Sequence, residues 1–266
     1  MFRHGRTLAF VSAVVLLPFS ASPADLADIE ARGVLRVLAV PDTAGGSISF
    51  KSSEAPGFDY EVLDGFARLK RLRLELVPVD AWDRLLPALT EGQGDVIAGS
   101  FTMTPERMRS IDFTSETLPT RSVVVTRKPH RTVRSLEELR SERVTLFKGT
   151  SMAGLLVSLG VPTANLDYAV PAEGLSAGLK TGRITCVVHD VQTAIVDQQM
   201  DPELQLGTFI GPPGSYSFGV RKTDPQLLAA LNEHIANVKR SGTWSRITVR
   251  YFGQMALSIL QKARAE

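Results

Sequence analysis

The sequence predicts an α/β protein of two Rossmann-like lobes joined by a two-strand hinge. Three observations carry that prediction. Strands and helices alternate in two separate series, one helix-end-to-strand pattern occurs in both, and two similar alternating segments, RSVVVTRK at 121–128 and SYSFGVRK at 215–222, stand where the chain would cross between lobes. Alternation of this kind implies mainly parallel sheets with helical crossovers.

Taken in order, the first series runs LRVLAV (35–40), an amphipathic helix over Tyr60–Lys70, LRLELV (72–77), a helix from about Trp82 to Thr90, and a strand over Val96–Ser100. A β-rich stretch, Ser122–Thr126, opens the second series: Val144–Phe147, helix Ser151–Leu159, Leu166–Ala169, helix Glu173–Lys180, Cys186–Asp190 and helix Gln192–Gln199. The chain then returns to the first lobe. Asp224-Pro225 is expected to cap a helix to about Ser241 with Gly242 after it, Trp244–Tyr251 to form a last short helix, and the chain from Gly253 to be a loosely held tail. The expected organisation is 30–122 plus 219–253 for a discontinuous first lobe, 123–218 for the second, and 254–266 for the tail.

The repeated pattern points to a site. Leu89–Ser100 aligns with Leu179–Asp190, matching a helix end, a C-cap glycine (Gly92, Gly182) and a buried strand in each. Ser100 and Asp190 are therefore equivalent strand tips, and ligands of open α/β sheets bind beyond such tips. Past Ser100 come Thr102 and Thr104-Pro105-Glu106, an N-cap followed by proline at the first helical position, which sets Arg107 in a first turn. Hydroxyls, helix amides and a guanidinium suit a carboxylate. With the tips of two lobes facing each other, Arg107 and Asp190 lie across one cleft, and a cation opposite an anion describes a receptor for a zwitterion.

Composition narrows the classes. The chain has 266 residues, 44% hydrophobic and 22% charged, which excludes disordered and fibrous proteins. The start, MFRHGRTLAFVSAVVLLPFSASPAD, has basic Arg3 and Arg6, an apolar run to Phe19 and small residues before an expected cut after Ala24, so residues 1–24 read as a secretory signal peptide and the periplasm as the compartment. Its removal takes two of the 30 basic residues and leaves them equal to the 28 acidic ones, a balance that favours neither nucleic acid nor anionic lipid. Cys186 is the only cysteine, so an intrachain disulfide is impossible and a buried thiol is expected.

Several stretches, RGVLRVLAV, GFDYEVLDGFA, WDRLLPALTEGQGDVIAGSFTMTPERMRSIDFT, SLEELRSERVTLFKGTSMAGLL, LKTGRITCVVHDV and SGTWSRITVRYFG, resemble the family-3 extracellular solute-binding proteins, receptors for polar amino acids in ABC importers. The resemblance runs from about Ala31 to Gly253. It implies the type II periplasmic binding protein fold, a monomer closing on a small amino-acid-like ligand by hinge motion, and delivery to an inner-membrane ABC permease, with no cofactor. It also implies roles: carboxylate binding for Arg107 with Thr102 and Ser100, ammonium binding for Asp190, completion of the carboxylate site by Thr150 and Ser151, and stacking on the ligand's aliphatic part for Trp82. One departure stands out. VPDTAGGSISF carries Thr43, Gly45 and Gly46 where the family usually carries rings, which leaves one wall of the ligand sandwich missing and room for a bulkier amino compound.

Plainer readings compete for these residues. Arg107 can pair with Asp112 or Glu106 on a solvated helix, Asp190 can simply cap the next helix, Trp82 can be a core aromatic, and Thr150-Ser151 an N-cap. Gly149–Ala153 comes near a nucleophile elbow and His189 adjoins Asp190, but the fifth position is alanine and neighbours on a strand point apart, so no enzyme is expected. His4, His130 and His234 lack metal-ligand spacing. Two alternatives share the fold: a periplasmic dehydratase, and a sensory or transglycosylase-type ligand-binding module.

Overall fold

The apolar segments pair into two five-stranded sheets of the same design. In the computed structural model, which describes residues 25–41, 56–172 and 174–265, the first half of the chain gives α1 (Leu26–Arg32), β1 (Val34–Ala39), α2 (Phe58–Leu69), β2 (Arg73–Pro78), a 3₁₀ turn (Trp82–Arg84) running into α3 (Leu85–Thr90), β3 (Val96–Ile97), α4 (Pro105–Met108) and β4 (Ile111–Phe113). Then follow β5 (Leu118–Arg127), α5 (Leu136–Arg140), β6 (Val144–Thr145), α6 (Ser151–Ser158), β7 (Leu166–Asp167), α7 (Leu175–Thr181), β8 (Cys186–Asp190), α8 (Val191–Met200) and β9 (Leu204–Tyr216). The chain ends in β10 (Gly219–Arg221), α9 (Pro225–Arg240), α10 (Thr243–Phe252) and α11 (Ala256–Ala265). The signal peptide and the ring-deficient segment at Thr43–Gly46 lie outside the described residues.

The sheet orders are β2-β1-β3-β10-β4 and β7-β6-β8-β5-β9. In the first, β1 lies parallel to β2 and β3, while β10 runs antiparallel to β3 and β4. In the second, β6 lies parallel to β7 and β8, and β5 runs antiparallel to β8 and β9. The two lobes repeat one topology, and the first is completed only when β10 returns to it.

Periodicity explains the packing. Helix α2 buries Phe58, Val62, Leu63 and Phe66 on one face, the 3.6-residue stripe that an amphipathic crossover needs. Gly94, before β3, has no room for a side chain, because a Cβ there would sit 2.4 Å from Leu38 Cγ. Asp95 is fully buried at the foot of that sheet and is held by Arg32 (2.5 Å) and Arg36 (2.9 Å), with an amide bond from Arg36 at 2.8 Å. A carboxylate so deep persists because guanidinium groups and an N–H satisfy it.

The crossings between lobes are short, 114–117 outward and 217–218 back. They bond to each other: Thr117 N–H donates to Tyr216 O at 2.8 Å, and Thr114 N–H to Phe218 O at 2.9 Å. SYSFGVRK is thus not one strand but the end of β9, a two-residue crossing and all of β10, and RSVVVTRK lies not at a crossing but almost wholly within β5 of the second sheet.

Two sequence expectations need correction. The tail from Gly253 is not loose: Ala256, Leu260 and Ala263 of α11 are buried in a cluster that also holds Val191 and Ile195 of α8 from the second lobe. The two alanines let the helix approach closely, and Leu257 and Ile259 between the buried positions blur the stripe that would have marked its inner face. Asp224 makes no side-chain cap on α9; it pairs with Arg221 at 2.7 Å, and Asp25 accepts instead from Gln226 N–H and Leu227 N–H at 3.2 and 2.9 Å.

Candidate binding cleft

Strand β3 ends in a turn held from below. Gly99 has φ +95° and Ser100 φ +58°, and both amides donate to Asp59 Oδ2, at 2.9 and 3.0 Å. A left-handed serine costs roughly 1–2 kcal/mol, so the carboxylate clamp is what keeps it. Asp59 is buried, and desolvation lifts its pKa to about 6 although the two amide bonds pull the other way. Sequence reasoning passed over Asp59 within GFDYEV, since nothing local shows that its partners lie 40 residues away.

From that turn the chain leads to Arg107. Thr104 Oγ1 accepts from Arg107 N–H at 3.3 Å, the expected cap on α4. The guanidinium donates to Thr102 O at 2.7 Å and lies over the Phe101 ring, 4.1 Å from its centroid. Phe101 in turn stacks on Phe113. This seat fixes the fork and leaves other N–H donors of the guanidinium for an anion. Burial lowers the Arg107 pKa to about 10, with Glu106 and Asp190 pulling it up, so the group stays cationic at neutral pH. Neither Glu106 nor Asp112 forms an ion pair with it among the described contacts.

On the facing lobe, Asp190 ends β8 and occupies the N-cap position of α8, yet its side chain caps nothing. Thr120 Oγ1 stands 3.2 Å from Asp190 Oδ1 and 3.0 Å from Gln192 Oε1, while Gln192 Nε2 donates to Pro119 O. Burial raises the Asp190 pKa to about 6; the neighbouring hydroxyls of Tyr216 and Thr120 and the charge of Arg107 lower it in part. The plain capping reading of Asp190 therefore fails on geometry, and Asp190 and Arg107 feel each other across the cleft.

Thr150 is the N-cap of α6 but its hydroxyl donates to Phe147 O at 2.9 Å rather than receiving a helix amide, so the N-cap side chain leaves the amides that begin with Ser151 uncapped. Trp82 is half-buried on the first-lobe cluster that includes Leu85, Ile97 and Phe101. The lobes meet beside it: a Cβ on Gly149, at φ +78°, would lie 2.8 Å from Asp83 N. Two residues that the sequence did not single out, Thr120 and Tyr216, stand beside Asp190, and hinge strands read as scaffold when only their alternation is visible.

Residues 35–254 match the bacterial extracellular solute-binding proteins, family 3. The chain belongs to this family. It is 29% identical over 240 residues to membrane-bound lytic murein transglycosylase F of Aliivibrio fischeri, covering 86% of this chain and 48% of that one, so it spans about half the length of this relative. It is 26% identical over 211 residues to ABC transporter arginine-binding protein 1 of Escherichia coli, covering 76% of this chain and 84% of that one. In structure it superposes on a mutant of ArgBP from T. maritima with TM-score 0.74 at 24% identity, over 86% of this chain and 99% of that one. The family-3 protein thus has the type II periplasmic binding protein fold.

Proposed function

We propose that this family-3 protein is a periplasmic receptor that captures a small zwitterion, an amino acid or related amine-carboxylate, by hinge closure and passes it unchanged to an inner-membrane ABC permease. The observation that carries the reading is the opposition of Arg107 and Asp190, with the Asp190 carboxylate turned away from its own helix. Arg107, Ser100 and Thr102 hold the carboxylate from the first lobe; Thr150 and Ser151 complete it from the second through the α6 amides. Asp190 takes the amine, and Trp82 flanks the aliphatic part. Only the closed state satisfies both charges at once, so the ligand selects it. Residues 1–24 direct export and are removed, and the mature chain works as a monomer.

A second reading follows from the transglycosylase relative: the same cleft serves as a ligand-sensing module, reporting occupancy instead of delivering cargo. Both readings need the same ligand chemistry. The test is a thermal-shift screen of the mature protein against amino acids, followed by mass spectrometry of the recovered ligand. Stabilisation with the ligand returned intact is the expected result; turnover would replace the receptor with an enzyme.

A further inference from the structure

We propose that Tyr216 is a ligand-binding residue, its hydroxyl completing with Asp190 and Ser100 a tripod of acceptors for a primary ammonium group. The assignment rests on the amine-carboxylate reading above and extends it to the substitution state of the amine.

Tyr216 is the last residue of β9, where the chain leaves the second lobe. Its backbone is fixed: the carbonyl accepts from Thr117 N–H at 2.8 Å and Thr117 Oγ1 at 3.1 Å, and the residue bridges to Thr102 of the first lobe. The ring, 2% exposed, belongs to the cluster with Leu118, Val191 and Ile195. A phenylalanine would fill that apolar seat equally well, so packing does not account for the oxygen.

The oxygen has specific neighbours. Asp190, Thr120 and Ser100 stand around it, one residue from the first lobe and two from the second. Among the described residues, however, no hydrogen bond of good geometry satisfies it. A buried hydroxyl without a partner costs roughly 1–3 kcal/mol, which the fold tolerates where a partner arrives from outside.

The chemistry of that partner follows from counting. An ammonium has three N–H donors and no acceptor. Thr120 stands at Asp190 Oδ1, and among the described residues no hydrogen bond to Oδ2 competes for the ligand. The phenol has one proton, for which the carboxylate is the natural acceptor, and its lone pairs stay available. Ser100, turned by its positive φ, supplies the third oxygen: its O–H donates to the ligand carboxylate, and a lone pair of the same oxygen accepts from the ammonium. A primary amine satisfies all three acceptors; an N-methyl amine leaves one unpaired, and a hydroxy acid leaves the carboxylate without a counter-charge. Because the oxygens come from both lobes, separating the lobes would break the tripod.

The experiment is calorimetry on the mature protein and its Tyr216→Phe variant, with an amino acid that the wild type binds, its N-methyl derivative and its 2-hydroxy analogue. The variant should lose about 10- to 100-fold for the primary amine, the range of one charge-assisted hydrogen bond. It should also lose most of the preference over the N-methyl compound and change under twofold for the hydroxy acid. Should the variant not fold, a crystal structure of the wild-type complex decides, with the ligand nitrogen about 3 Å from Tyr216 Oη. Unchanged amine affinity in the variant, equal weakening of all three ligands, or a nitrogen out of hydrogen-bond reach of Oη overturns the assignment while leaving the receptor intact. A wild type that binds none of the amines overturns the receptor reading and this assignment with it.

Discussion

The carboxylate of Asp190 accepts from Thr120, 3.2 Å away on the neighbouring strand, and not from the helix that it begins. An aspartate at an N-cap ordinarily turns back to the first free amides. Here the hinge strand draws it into the cleft, where Arg107 is the opposing charge.

Replacing Arg107 removes the cation that faces Asp190. Arg107→Ala is expected to weaken ligand binding by about 3–5 kcal/mol, because a buried carboxylate loses its partner. Calorimetry giving less than a tenfold loss would show that the anion sits elsewhere.

Asp190→Asn separates function from stability. In the ligand-free protein the Asp190 pKa is raised to about 6, so protonation favours the folded state and that contribution disappears as pH rises through 6. The asparagine variant should therefore melt higher than wild type at pH 8, with the difference shrinking towards pH 4. Its affinity for amines should fall further than its affinity for deaminated analogues. Melting curves that differ equally at both pH values would contradict the sign.

The same shift sets the pH dependence of binding. A ligand ammonium needs Asp190 ionised and lowers its pKa on binding, so affinity is full above about pH 6 and falls about tenfold per unit below it. Titrations from pH 8 to 5 with an amine ligand test this, and a flat profile would exclude Asp190 as the amine site.

Gly149 is where the lobes meet. Gly149→Ala places a Cβ 2.8 Å from Asp83 N in a left-handed backbone, so closure should be obstructed. Small-angle scattering with saturating ligand should give a larger radius of gyration than wild type, with affinity reduced. Compaction equal to wild type would show that closure does not need this contact.

Helix α11 holds the back of the hinge. Leu260 is 2% exposed between elements of both lobes, and Leu260→Ala should destabilise the protein by about 2–5 kcal/mol. Urea unfolding checks it; a surface-like change would return the segment to the status of a tail.

Much of this was legible in residues. The parallel strands and crossover helices of both lobes declare themselves by alternation and the 3.6-residue stripe of α2, and Thr104-Pro105 announces the turn that carries Arg107. Long-range partnerships were not legible. Asp59 reaches amides 40 residues on, Asp25 caps a helix 201 residues away, and Tyr216 looks like any strand aromatic until its neighbours assemble around it. The buried face of α11, carried by two alanines and one leucine, is too weak a pattern to separate a packed helix from a tail.

The most direct test of opposed charges in one cleft is calorimetry with an amino acid, its decarboxylated amine and its deaminated acid. Tight binding of the amino acid and loss of about 100-fold or more for each analogue is the predicted result. Comparable affinity for an analogue lacking either charge would contradict the account.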